Sequence, residues 1–119
     1  MKRLLIKKNA IHNTYLMFCL HGNLSVMDAY KIANRNICNK MGWGTINVQS
    51  LWLCMLEEIG ELAASVRRAT KVYADHKKMN IQGELMDVFS YVLQLADMYN
   101  VNIEEAWSKH LYIHRSLNI

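Results

Sequence analysis

The chain has 119 residues, 52% of them apolar, with no proline, five glycines and a net charge of +4, which suits one domain with a genuine hydrophobic core. Its three cysteines are odd in number and follow no CxxC spacing, and no apolar run is long enough to span a bilayer. These features argue against a disulfide framework, a cysteine-type zinc site and a membrane span. The scarcity of proline and glycine points to long helices joined by few loops.

The start, MKRLLIKK, imitates the basic region of a signal peptide, but NAIHNTYLMFCLHG after it is broken by His and Asn. No small-residue cleavage site follows, so export is not expected, and a cytoplasmic location with buried free thiols is. Residues 1–22 carry no clear pattern. We treat 1–24 as an N-terminal extension and 25–119 as the domain. Ser25 with Asp28 resembles a capping box with Asp in place of Glu, opening a helix VMDAYKIANRNICNKM that stops at Gly42 and Gly44.

A second helix starts near Thr45 or Asn47 and runs to about Ala74. Its apolar positions Trp52, Met55, Ile59, Leu62 and Val66 fit helical spacing and predict the buried stripe. After the polar link DHKKMNIQG, a third helix over about 83–99 is apolar nearly all round, which predicts a central, buried element. Asn102 with Glu105 caps a fourth helix, IEEAWSKHLYIHRSL. The fold class is all-α, a bundle of four to five helices.

Charge is unevenly distributed. The first 55 residues hold one acid, Asp28, against seven Lys or Arg, whereas Glu57, Glu58, Glu61, Glu84 and Asp87 form two tight clusters. At roughly 100° per residue, the three glutamates share one side of the second helix, turned away from the stripe centred on Ile59. A solvated face is the ordinary explanation for such acids. Against it, no base lies at i±3 or i±4 to offset their repulsion. Asp87 also sits in LMDVFSYVL, where its neighbours favour burial and an unpaired charge is costly. Two acidic pairs on neighbouring helices would enclose a divalent cation. Without His or Cys in the set, a hard ion is expected, Mg²⁺ or Mn²⁺, which keeps positions open for water and phosphate oxygens.

EEIGE (57–61), a 22-residue interval and ELMD (84–87) resemble the EExxE…ExxD signature of the all-α nucleoside triphosphate pyrophosphatases, and the MazG-type branch most of all. The likeness extends over about 25–112 and includes KMGWG, GEL and DVFSYVLQLADMYNVNIEEAWSKH. It implies hydrolysis of a nucleoside triphosphate to the monophosphate and pyrophosphate, in nucleotide-pool cleaning, by a homodimer or homotetramer. Water attacks the α-phosphorus while ions orient the phosphates and offset developing charge.

By the same likeness Glu58, Glu61, Glu84 and Asp87 hold magnesium. Glu57, Glu58 and Glu61 form the catalytic set, with Glu57 either behind the ligands or the general base. Tyr91 is near the nucleotide or is a core aromatic, and Lys109 meets the phosphates or is a solvated helix lysine. Ile113 stands where many relatives carry Asn, and Arg115 substitutes for a displaced Arg. Trp43 stacks on a base or packs over a helix end. Arg67, Arg68 and Lys71 form a basic edge or solvate a helix end. The histidines show no metal-ligand pattern, and His110 and His114 read as surface or interface residues.

No stable nucleic-acid partner and no membrane association are expected. The competing activities are dUTPase-like or phosphoribosyl-ATP pyrophosphatase hydrolysis. A non-catalytic module meeting protein or nucleic acid through Lys31 and Arg35 is the alternative of another class.

Overall fold

The computed structural model describes residues 25–73 and 75–116, and the signal-like start, Cys19, His12 and His21 lie outside them. Among the described residues, four helices follow in order: α1 Val26–Met41, α2 Val48–Ala69, α3 Ile81–Met98 and α4 Ile103–Ser116. No strand occurs among the described residues, so the expected all-α class holds. The chain divides into two compact units, one of residues 45–95 and one of the residues before and after that stretch.

In the flanking unit, α1 is capped as its sequence predicts. The Ser25 hydroxyl accepts from the Asp28 amide at 3.1 Å and donates to the Asp28 carboxylate at 2.8 Å. The helix ends where Gly42 takes φ +77°, a left-handed conformation that costs glycine little. Its closing bond runs from the Trp43 amide to the Cys38 carbonyl at 2.8 Å. Lys31 donates to the Val101 carbonyl at 2.8 Å, and Arg35 grips both oxygens of Asp97. The two cations considered for nucleic acid therefore tie α1 to the last turn of α3 and to the turn that follows it. Arg35, with Lys31 adding to it, holds the Asp97 carboxyl below the usual carboxylate range.

In the 45–95 unit, the Asn47 side chain caps α2 by accepting from the Ser50 amide at 2.8 Å. The helix ends at Ala69, not near Ala74. Arg67 causes the early stop: its guanidinium donates to the carbonyls of Val72 and Tyr73, and Lys71 and Tyr73 turn into left-handed conformations at φ +59° and +48°. Asp75 then receives Arg67 at 2.9 Å and Arg68 at 2.8 Å. These arginines tie down the chain after α2. Of the two readings of this basic stretch, finishing the helix end is the one these bonds support for Arg67 and Arg68.

The core stripe of α2 also differs from expectation. Leu51, Met55, Glu58 and Ser65 are buried, whereas Trp52, Ile59 and Val66 are exposed, Ile59 at 41%. The predicted stripe thus splits, and its buried side passes through Glu58. The spacing explains this, since Glu58 lies three residues after Met55 and four before Leu62, on one face of the helix. Nor is α3 buried all round: Leu93 and Glu84 are buried, while Leu85, Met86 and Val92 are about 45% exposed.

The start of α3 is fixed by a device the sequence reading missed. The helix begins at Ile81 rather than near 83, and Asn80 caps it: its side-chain oxygen accepts from the Gly83 amide at 3.3 Å, and its carbonyl from the Glu84 amide at 3.0 Å. A Cβ at position 83 would collide with the Asn80 side-chain amide, so a residue larger than glycine would have to displace the capping group. The Asn80 amide in turn donates to the hydroxyl of Ser65, which is fully buried on α2. We expect Asn80→Ala to lower stability by about 1 kcal/mol and Ser65→Ala by a similar amount, measured by urea unfolding. Because Ser65 receives the backbone N–H of Asn80, which Asn80→Ala keeps, losses that simply add in the double variant would show that the side-chain cap and the Ser65 bond act independently.

Candidate metal centre

Glu58 on α2 and Glu84 and Asp87 on α3 bring one carboxylate oxygen each to within 4.8 Å of one another. Glu84 and Asp87 share a face of α3 because three residues turn a helix by roughly one revolution less 60°. The Ser65–Asn80 bond and the Asn80 cap set the first turn of α3, and with it Glu84, against α2. Glu58 and Glu84 are 6% and 7% exposed, and Asp87 is half-buried.

Burial raises the Glu58 pKa to about 7, and the negative charges of Glu61, Asp87, Glu84 and Glu57 push the same way. Every charged neighbour acting on Glu58 is thus an acid. Glu57 and Glu61 are both exposed, and Glu61, although close enough to act on Glu58, stands outside the group of three.

Tyr91, one turn beyond Asp87, is half-buried beside this group. Burial raises its pKa, as do the negative charges of Glu58 and Glu57 and a hydrogen bond with the Cys54 side chain. Its phenol therefore stays protonated through the neutral range. Cys54, expected with the other cysteines as a buried free thiol, is only half-buried. Its place three residues before Glu57 puts it on the α2 face next to the acids.

The remaining candidates lie in the other unit. Lys109 is exposed and pairs with Glu105, one turn earlier on α4, at 2.8 Å. Arg115 is exposed in the last turn of α4, and Trp43 is half-buried in the loop after α1.

An oxygen-only set of three clustered carboxylates fits a hard divalent cation by its donor chemistry. Such a cation would offset both the repulsion among the acids and the desolvation of Glu58. Fold and site together define a helical protein with a carboxylate centre carried on two successive helices.

A family model for the MazG nucleotide pyrophosphohydrolase domain matches residues 46–116, more than half of the chain. The chain belongs to this family, and the matched stretch contains α2, α3, α4 and all the acids of the centre. No curated protein and no solved structure matches the chain.

The raised Glu58 pKa has a consequence for stability. Between the carboxyl's ordinary 4.5 and about 7 the folded protein keeps a proton that the unfolded chain has lost. Stability of the metal-free protein therefore falls as pH rises through that window, by an amount on the order of 3 kcal/mol. Glu58→Gln should remove most of this slope, so that above pH 7 the metal-free variant is the more stable protein. Urea unfolding in chelator across this range tests it, and parallel curves for the two proteins would contradict it.

Proposed function

We propose that this protein is a Mg²⁺-dependent nucleoside triphosphate pyrophosphohydrolase that converts nucleotides, including deoxynucleotides, to monophosphate and pyrophosphate. The observation that carries the reading is the convergence of Glu58, Glu84 and Asp87, three acids of the EExxE and ExxD patterns, in a chain of the MazG family. We assign these three and Glu61 to hold Mg²⁺, with Mn²⁺ as a substitute. When bound, the ion supplies orientation of the phosphates and compensation of charge developing in the transition state.

The chain's own groups do the rest. Water attacks the α-phosphorus, the bond to the bridging oxygen breaks, and pyrophosphate leaves. Glu57, exposed beside the buried Glu58, is our assignment for the group that accepts the water's proton, with Glu58 and Glu61 completing the catalytic set. Tyr91, held protonated, serves as a hydrogen-bond donor toward the nucleotide. Lys109, Arg115 and Trp43 are our assignments for contacts with phosphates and base. A role in removing unwanted nucleotides in the cytoplasm follows from this chemistry. None of the helices among the described residues is long and apolar enough to cross a membrane.

We also propose that the enzyme works as a homodimer or homotetramer. Trp52, Leu56, Ile59, Ala63 and Val66 are all exposed on α2 and repeat at alternating steps of four and three residues. That is the spacing of a seam between helices. Beside it in sequence order, α3 exposes Leu85, Met86 and Val92. Exposed apolar surface of this extent marks an interaction site, and a second copy is the occupant this reading requires.

Pyrophosphate release from a panel of NTPs and dNTPs should depend on Mg²⁺ and vanish in chelator. Glu58→Gln and Asp87→Asn should each lower kcat/KM by about 100-fold or more. Absence of metal-dependent product from every triphosphate would overturn the activity, and turnover of dUTP or phosphoribosyl-ATP alone would narrow it to one of those reactions. In sedimentation, the wild-type chain should form dimers or tetramers and Ile59→Glu should shift them to monomers. A wild-type protein monomeric at tens of micromolar would remove the oligomer.

A further inference from the structure

We propose that His110 and His114 form a binding site for a late first-row divalent cation, with Zn²⁺ the ordinary occupant, on the exposed face of α4. The two residues are one turn apart, so their side chains lie one above the other on the helix. Their ring centroids are 4.4 Å apart, with ring planes inclined by 62°. Two imidazole nitrogens that share one zinc at the usual bond length stand roughly 3.4 Å apart. The observed ring separation is of the same order, on two exposed side chains one helical turn apart. Among the described residues neither imidazole has a hydrogen bond or an ion pair, and both are exposed to solvent.

Two features of α4 favour a cation there. Trp107 stacks on His110 with centroids 5.5 Å apart and planes 21° from parallel. The stack limits the rotation of the His110 ring before any ion arrives. It also sets an aromatic face against an imidazole that becomes more positive on ligation. Lys109, the adjacent base, has its charge offset by Glu105, whereas Arg115 opposes binding and weakens it.

The donors decide which ion. Nitrogen ligands suit Zn²⁺, Ni²⁺ and Cu²⁺ and select against Mg²⁺. This site is therefore chemically distinct from the oxygen-only carboxylate centre. Two protein ligands leave coordination positions open to water or to donors from another molecule, which places the affinity well below that of a closed structural site.

The stack supplies the reporter, because Cu²⁺ or Ni²⁺ bound at His110 quenches indole emission from Trp107. With the full chain in excess Mg²⁺, a Cu²⁺ titration should give saturable quenching, most of it lost in Trp107→Phe. Calorimetry with Zn²⁺ should show a single site that His110→Ala and His114→Ala each weaken by about tenfold or more. Trp107→Phe should keep most of that Zn²⁺ affinity, and His76→Ala should leave it unchanged. All are exposed positions where truncation leaves the fold intact. Absence of Zn²⁺ binding, or equal binding by the wild type and both His110 and His114 variants, would overturn the site. Pyrophosphate release is no part of either readout, so this test and that of the proposed activity fail independently.

Discussion

A carboxylate inside an apolar stripe is the constraint from which the rest of this protein follows. Glu58 occupies a position on α2 that the spacing of Leu51, Met55, Leu62 and Ser65 would assign to a leucine. Burial penalises its charge, and four acids nearby add to the penalty. The two ways to relieve that penalty are a proton or a cation. With its pKa raised to about 7, Glu58 holds its proton well above the usual carboxylate range, so any cation at this site would have to displace that proton.

Holding the acids close takes structural support on the partner helix. Asn80 caps α3, and Ser65 anchors the Asn80 amide from the buried face of α2. Gly83 leaves room for the cap. The link before it is folded back by Arg67 and Arg68, whose bonds to Val72, Tyr73 and Asp75 hold two residues in left-handed conformations. Such conformations cost non-glycine residues about 1 kcal/mol or more each. They persist because the guanidinium groups satisfy carbonyls that the interrupted helix leaves open. The loop's basic residues thus act through geometry, delivering α3 to α2 in the register that brings Glu84 to Glu58.

The two apolar stripes of α2 divide its work. One packs within the chain and contains Glu58, and the other, from Trp52 to Val66, faces outward. A helix with two adjacent stripes has a wider apolar face than one neighbour covers. The family match begins just ahead of this helix and runs through α4, so both stripes and the acidic centre fall within the MazG domain.

Much of this was legible in the residues. Side-chain caps at Ser25, Asn47 and Asn102, the left-handed stop at Gly42 and the four helices are local matters, set by neighbours within a few positions. The pairing of EEIGE with ELMD was visible because the acids recur at fixed helical offsets. The sequence alone could not assign which side of α2 is buried. Trp52, Ile59 and Val66 and their neighbours one position earlier both fit a helical period, and only the position of α3 chooses between them. The early end of α2 and the true start of α3 were hidden for a related reason: Arg67 reaches carbonyls five and six residues away, and Ser65 meets Asn80 across fifteen. Local spacing determined the helices and their acids. Tertiary packing decided which acids meet, because burial and cross-helix bonds depend on neighbours that are distant in the chain.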